Sequence, residues 1–240
     1  MMAVILAGGR GTRLEHYTID VPKPLIPLGD VPILEIVLCQ LKAAGVTRIV
    51  LSLGHLSHFF TALVERWKRY GVELEFVLED RPLGTAGPIA LVDSLEDNFL
   101  VMNGDILTTL DYRALFEQHV VKDAWATIAV TGRESKVEYG VVRMTPEGEL
   151  ADYEEKPVIH YDVSMGINVL SRRCLEFIAR GERFDIPELM LAIRGAGHRV
   201  ACYPSSCYWQ DIGCISDLQQ ASTDFVADPG RFIPTDWESG

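Results

Sequence analysis

Six short segments have residue types and spacing suited to chemistry on phosphates. The first, Leu6-Ala7-Gly8-Gly9-Arg10-Gly11-Thr12-Arg13-Leu14, directly follows an apolar run. Its glycines let the backbone approach a ligand closely and adopt φ > 0. Successive N–H groups in such a turn form an anion-binding concavity, and Arg13 adds a planar fork suited to phosphate oxygens. It is not a Walker A loop, because no Gly-Lys-Ser/Thr follows. It is not a dinucleotide fingerprint either, because Leu14 stands at the third glycine position. The second segment, Val21-Pro22-Lys23-Pro24-Leu25, stiffens a lysine between prolines and so lowers the cost of ordering a cation beside a phosphate.

The third, Pro82-Leu83-Gly84-Thr85-Ala86-Gly87, could offer backbone and hydroxyl hydrogen bonds to a nucleobase, although Thr85 could equally cap a helix. The fourth, Asn103-Gly104-Asp105, puts a carboxylate at the end of a strongly apolar run. One or two such carboxylates, with phosphates nearby, suffice to hold Mg²⁺. The fifth and sixth, Tyr153-Glu154-Glu155-Lys156-Pro157 and Trp209-Gln210-Asp211-Ile212-Gly213, set charge beside rigidifying or apolar residues. Taken singly, each segment has an ordinary structural explanation as a turn or a solvated surface charge.

The elements around these segments alternate. Ala3–Ala7, Arg48–Leu53, Leu74–Leu78 and Phe99–Met102 read as buried strands, and Leu34–Ala44, Ser57–Tyr70, Ala86–Leu95 and Asp111–His119 as helices. This pattern predicts an α/β fold: a doubly wound, mostly parallel, Rossmann-like sheet whose ligands bind beyond the carboxyl ends of its strands. After about residue 124 the pattern becomes α+β. Strands are expected at Trp125–Thr131, Gly140–Met144, Leu150–Glu154, Met165–Leu170 and Val200–Tyr203, and helices at Arg172–Ala179 and Ile186–Ala196. The 240 residues are expected to form one domain, with a nucleotide-binding half at 1–123, a sugar-phosphate-binding half at 124–228 and a loosely held tail at 229–240.

A net charge of -12 argues against a general nucleic-acid binder, but not against binding one nucleotide with local cations and a metal. Five cysteines without a CxxC pair read as free thiols in a reducing compartment. No run approaches the ~20 apolar residues of a membrane helix. A cytoplasmic protein is expected, with neither nucleic acid nor membrane as partner.

Together and in order, the six segments resemble the sugar-1-phosphate nucleotidylyltransferase family over Ala3 to about Phe225. Leu6-Ala7-Gly8-Gly9-x-Gly11-Thr12-Arg13-Leu14 with Pro22-Lys23-Pro24 looks like that family's signature pair. The resemblance implies the nucleotide-diphospho-sugar transferase type of fold, whose α+β extension binds the sugar. It implies a nucleotide site at Leu6, Ala7, Gly8, Gly9, Gly11, Thr12, Arg13, Gly84, Thr85, Asn103 and Gly104. It implies sugar-phosphate contacts from Lys23, Gly140, Glu155, Lys156, Ser164, Gly166 and Asp211. Mg²⁺ would sit on Asp105 and Asp211, and Arg13, Lys23, Asp105 and Lys156 would be the catalytic set. A homodimer is also expected from the resemblance. Ser164 and Asn168 depart from the Asn and Tyr common in relatives. No long extension follows Asp211, so a single activity is expected.

The implied reaction joins a nucleoside triphosphate to a sugar 1-phosphate and releases pyrophosphate. It needs positioning and charge neutralisation rather than a nucleophilic side chain. Asn103-Gly104-Asp105-Ile106 and Leu83-Gly84-Thr85-Ala86-Gly87-Pro88 resemble guanylyl-transferring relatives acting on mannose- or heptose-type phosphates, so GTP is favoured. Thymidylyl and uridylyl relatives share most of the rest. Two other readings compete. A non-catalytic, nucleotide-sugar-sensing regulatory subunit could have lost Arg13, Asp105 or Asp211. A cytidylyltransferase acting on an alcohol phosphate would not need Glu155-Lys156 and the Asp211 segment.

Overall fold

Residues 2–5, 49–51 and 99–102 are completely buried, as strands are when helices cover both faces of a sheet. The computed structural model describes residues 1–9, 21–54, 56–67 and 71–234; Gly11, Thr12, Arg13, Leu14 and Tyr70, named above, lie outside them. The first half contains β1 (Met2–Leu6), β2 (Pro27–Leu28), β3 (Val31–Pro32), α1 (Ile33–Ala43), β4 (Arg48–Leu53), α2 (Ser57–Trp67), β5 (Glu73–Leu78), β6 (Asn98–Asn103), β7 (Ile106–Thr108) and α3 (Tyr112–Val121). The second half contains β8 (Ala126–Lys136), β9 (Val141–Met144), β10 (Leu150–Glu154), β11 (Val158–Ser171), α4 (Ile186–Gly195), β12 (Val200–Pro204), β13 (Trp209–Asp211) and α5 (Ile215–Ala227).

Seven strands form one sheet in the order β12-β8-β11-β6-β1-β4-β5. β1 pairs parallel with both β4 and β6, and β4 with β5. β11 pairs antiparallel with β6 and β8, while β12 is parallel to β8. The chain leaves β1 for β4 and β5 on one side and returns to β6 on the other. The strand order therefore reverses at β1, where a crevice opens beyond the carboxyl ends. Alternate residues of the strands feed two cores. Ala3, Ile5, Leu51 and Met102 pack with Leu34, Leu38, Phe60 and Leu115 of the helices on one face. Val4, Val50, Phe99 and Val101 pack with Ile89, Leu189 and Ile193 on the other. A third core joins Ile26, Leu28 and Ile33 to Leu107, Ile212, Leu218, Phe225, Phe232 and Ile233. It braces the Pro22-Lys23-Pro24 segment against β7, the end of β13 and α5.

Several expectations are corrected. The helix expected over Ala86–Leu95 is a 3-10 turn at Gly87–Leu91. Pro88 brings no N–H, and the Ala86 and Gly87 N–H groups bond to Phe184 O outside the turn. Arg172–Phe177 is likewise 3-10 rather than a helix reaching Ala179. The strand expected from Met165 begins at Val158, because β11 extends beyond the core to pair with Thr131–Lys136 of β8. α5 was not expected; its N-cap is Cys214, and the cap is completed by Asp217 three residues on. Of the tail expected to be loose over 229–240, residues 235–240 lie outside the described residues, while Phe232 and Ile233 are buried. All five cysteines are free thiols. Among the described residues no helix is long and apolar enough to cross a membrane.

His119, in the last turn of α3, is buried with Nδ1 2.8 Å from Thr127 Oγ1 and Nε2 3.0 Å from Asn98 Oδ1. The amide oxygen can only accept, so Nε2 donates to it and Nδ1 accepts from the hydroxyl. Burial, aided by the nearby Arg173 charge and opposed by Asp123, pushes the imidazole pKa down to about 4. The unfolded chain takes up this proton near pH 6.5 and the native chain does not. The group leaves stability unchanged above that pH and erodes it as pH falls from there towards 4. From pH 7 to pH 5 the expected loss from this residue is about 2 kcal/mol. Urea unfolding at the two pH values should show it, and His119→Gln should remove that part of the difference. Equal slopes in both proteins would exclude His119 as its source.

Candidate active site

A cleft of about 380 Å³ opens at the reversal point, lined by Leu6, Ala7, Gly8 and Gly9 at the end of β1, Lys23 and Pro24, Glu79, Pro82, Gly84 and Thr85, Asn103 and Asp105 after β6, and Gly213. Main-chain ladders carried past the strand ends set its floor. Ala7 N–H donates to Ser52 O at 2.9 Å, Glu79 N–H to Leu53 O at 2.8 Å and Gly104 N–H to Leu6 O at 3.0 Å. At Gly8 a Cβ would sit 2.5 Å from Glu79 Oε1, so a side chain there would push the Glu79 carboxylate aside.

The charged centre is built by three separate segments. Pro22–Leu25 closes a 3-10 turn through Leu25 N–H to Pro22 O (2.8 Å) and Ile26 N–H to Lys23 O (3.1 Å). That turn brings Lys23 Nζ onto Asp105 Oδ2 in an ion pair with both side chains largely buried. The other oxygen, Asp105 Oδ1, is buried and accepts no hydrogen bond from any of the described residues. Next to it runs the two-stranded ladder of β7 and β13: Asp211 pairs with Ile106, and Ile212 N–H donates to Asp105 O at 3.1 Å. Asp105 and Asp211, 106 positions apart in sequence, are thus neighbours across this ladder. The loop after Asp211 is locked by Asp217, whose Oδ2 accepts from the Gly213 (3.1 Å) and Cys214 (3.0 Å) N–H groups and whose Oδ1 accepts from Gln210 Nε2 at 3.0 Å.

A buried carboxylate oxygen without a donor is expensive unless a cation meets it. Among the described residues no group of three or more His, Cys, Asp or Glu side chains could cage an ion. Asp105 lines the cleft, and Asp211, on the strand beside it, does not; a cleft carboxylate with a spare oxygen suits a hard divalent cation that completes its shell with water and phosphate oxygens, as Mg²⁺ does.

The wall formed by Glu79, Pro82, Gly84 and Thr85 is built differently from expectation. Thr85 does not face a ligand with its polar groups. Its N–H donates to Asp185 Oδ1 at 2.9 Å, and its hydroxyl accepts from Ile186 N–H at 2.8 Å. Glu79, which the motif reading passed over, is the acidic group of this side. Its Oε1 accepts from Ser52 Oγ at 3.0 Å and its Oε2 from Leu83 N–H at 3.0 Å. The rule that singled out Asp105, an acid at the carboxyl edge of a parallel strand, applies equally to Glu79 after β5.

The remaining candidates form a second group near the arm of β8 and β11. Gly140 lies against Tyr153 and Glu155, and the Tyr153 hydroxyl donates to Glu155 Oε2 at 3.2 Å. Lys156, beside Glu155, has φ +48, a left-handed conformation rare outside glycine. Ser164 Oγ accepts from Gly166 N–H at 3.3 Å, and Gly166 abuts Asn103 and Ile106, linking this group to the cleft floor. Glu155 and Lys156 are exposed and do not line the cleft itself.

The architecture has known counterparts. The nucleotidyl transferase family model matches residues 2–227. The mannose-1-phosphate guanyltransferase of Aspergillus fumigatus is 33 % identical over 227 residues, covering 91 % of this chain and 62 % of that protein. A UTP–glucose-1-phosphate uridylyltransferase of Synechocystis is 28 % identical over 241 residues, covering 92 % and 62 %. The chain thus spans less than two thirds of the length of these relatives. HddC from Yersinia pseudotuberculosis, solved in complex with GMP-PN, superposes with a TM-score of 0.72 at 27 % identity over 93 % of this chain and 99 % of its own. With nearly its whole length matched and the strand-end cleft intact, this chain belongs to the nucleotidyl transferase family.

Proposed function

We propose that the protein joins GTP to a mannose- or heptose-type sugar 1-phosphate, forming a nucleotide sugar and pyrophosphate. The observation that carries this reading is the cleft-mouth centre in which Lys23 pairs with Asp105 while, among the described residues, Asp105 Oδ1 is left without a donor beside the strand of Asp211. An oxygen of the sugar phosphate attacks the α-phosphorus in line. A new P–O bond forms, the bond from the α-phosphorus to the bridging oxygen breaks, and that electron pair leaves on pyrophosphate. A bound divalent ion such as Mg²⁺, held by Asp105 and Asp211, would supply charge neutralisation at the α-phosphate.

The chain's own side chains do the rest. Two anionic reactants repel, so Lys23, fixed by its turn and by Asp105, screens the reacting phosphates without having to be ordered when they bind. Arg13, outside the described residues, takes the β- and γ-phosphates, Glu155 takes the sugar hydroxyls and Lys156 the sugar phosphate; these roles rest on the family resemblance. Glu79 supports the choice of base. Its two oxygens keep acceptor capacity beyond Ser52 and Leu83. Guanine alone presents two adjacent donors, N1–H and N2–H₂, to such a fork. A uracil or thymine edge puts one donor between acceptors and would face the carboxylate with like partial charge.

The direct test is pyrophosphate release measured with GTP, ATP, UTP, CTP and dTTP, each against mannose, glucose and heptose 1-phosphates. Release dependent on both substrates and abolished by EDTA is expected, strongest with GTP; no release from any pair would overturn the reading. Asp105→Asn should lower turnover by about 10²-fold or more, a barrier rise of about 2.7 kcal/mol, and a near-normal rate at unchanged Mg²⁺ would remove the metal role. Lys156→Ala should raise KM for the sugar phosphate by about tenfold with KM for GTP unchanged; the reverse pattern would mean that the two substrates have been exchanged. Glu79→Gln keeps the size but presents a donor to guanine. The kcat/KM ratio of GTP over UTP should fall by about tenfold or more, and an unaltered ratio would rule out base reading by Glu79.

A further inference from the structure

The loop from Arg81 to Gly87 walls the base side of the cleft, yet it is tied down by residues about a hundred positions later. Phe184 N–H donates to Leu83 O at 2.9 Å, and Phe184 O accepts from Ala86 N–H at 2.8 Å and Gly87 N–H at 3.0 Å. Arg81 Nη2 donates to Gly181 O at 2.8 Å. Asp185 completes the strap. Its Oδ1 accepts from Thr85 N–H at 2.9 Å and from the Thr85 hydroxyl at 3.3 Å, while that hydroxyl accepts from Ile186 N–H, at the start of α4, at 2.8 Å. One hydroxyl can do both, having a proton to give and lone pairs to receive. Arg183 Nη2 donates to Oδ2 at 3.1 Å and Asp185 N–H to Glu188 Oε2 at 3.0 Å, so the carboxylate cannot swing away from Thr85 without breaking several bonds.

Gly84 records the same contact. At φ +77 it holds a conformation L residues rarely adopt, and a Cβ there would lie 2.5 Å from Asp185 Oδ1 and 2.6 Å from Phe184 O. A Cβ on Gly87 would come within 2.6 Å of Glu182 O. The two glycines are demanded by the passing strap, whatever ligand sits in front of them.

We propose that Asp185 is a positioning residue for nucleotide binding: its carboxylate fixes the Gly84–Thr85 backbone as a prebuilt wall of the base pocket without touching the nucleotide. The proposal rests on reading the cleft as a nucleoside triphosphate site. A wall ordered in advance costs no ordering entropy when the ligand arrives. Removing the carboxylate loosens the wall on the nucleotide side and leaves the sugar side, formed by other segments, as it was.

The experiment measures GTP binding in the presence of Mg²⁺ by titration calorimetry, alongside both KM values and the melting temperature. Asp185→Ala should raise Kd and KM for GTP by about tenfold, with KM for the sugar phosphate and kcat unchanged. Asp185→Asn, whose amide oxygen still accepts from Thr85, should restore GTP affinity. If Asp185→Ala fails to fold, Asp185→Glu, which pushes the carboxylate one methylene further into the wall, should show the same nucleotide-selective loss. A lowered melting temperature with both KM values unmoved, or with both raised equally, would reduce Asp185 to a helix cap and overturn the proposal. Wild-type protein that binds no nucleoside triphosphate would overturn the reading of the cleft itself. Wild-type binding that Asp185→Ala leaves equally tight would overturn the role of Asp185 alone.

Discussion

A largely buried carboxylate needs compensation in a folded chain, and the arrangement around the cleft follows from how that is met at Asp105. Burial strips such a charge of hydration. Here the backbone fixes Asp105 beside the strand that carries Asp211. β7 and β13 are three residues long, too short to be stable as a free ribbon, yet they are clamped from several directions. Gly104 ties the start of β7 to the end of β1, Asp217 ties the end of β13 to α5, and the third core fills the space behind both strands. Lys23 neutralises one oxygen. The second has no donor among the described residues, and on the proposed reading a cation arriving with the phosphates would meet it.

What could be read in the sequence follows from which physical signals are local. β1, β4 and β6 are apolar on both faces, and that run, ended by glycine or a polar residue, carries its own boundaries. Asp105 was legible for the same reason, since it ends such a run. β11 beyond the core was not legible from Val158 to Val163. Its residues pair with charged partners of β8 in the open, and a strand with no buried face has no period of two to detect. α5 begins at a cysteine, which carries none of the usual capping signal, although Asp217 supplies the reciprocal half of the cap. The 3-10 turn at Gly87–Leu91 looked like a helix because only the sequence-distant Phe184 carbonyl diverts its first N–H groups.

Thr85 shows a subtler limit. Pro82–Gly87 was expected at the nucleotide because glycine and threonine suit close approach and hydrogen bonding, and the segment does line the cleft. The reason for those residue types is different. The glycines yield to the strap from Gly181 to Ile186, and the Thr85 hydroxyl is engaged by α4. A motif marks where constraint is concentrated, and the constraint can come from either side of the backbone.

The two halves of the site differ in how they are supported. At the Glu79 and Thr85 wall, the strap, the ladders past the strand ends and the bonds from Ser52 and Leu83 to Glu79 fix the cleft in advance. At the arm, β9 and β10 form a two-stranded hairpin that leaves Val142, Met144, Leu150 and Tyr153 at least half exposed. An isolated hairpin of this kind is marginal in water, so local stability is lowest where Gly140, Glu155 and Lys156 are carried. A rigid pocket suits discrimination among flat bases that differ in two or three polar atoms, because a wall that cannot shift leaves mismatched donors unpaired. On the proposed reading, an open hairpin of this kind suits a sugar phosphate, whose hydroxyls can be met in more than one way. On the proposed reading, the rigidity of one wall and the openness of the other would put base selection in the sheet and sugar selection in the arm.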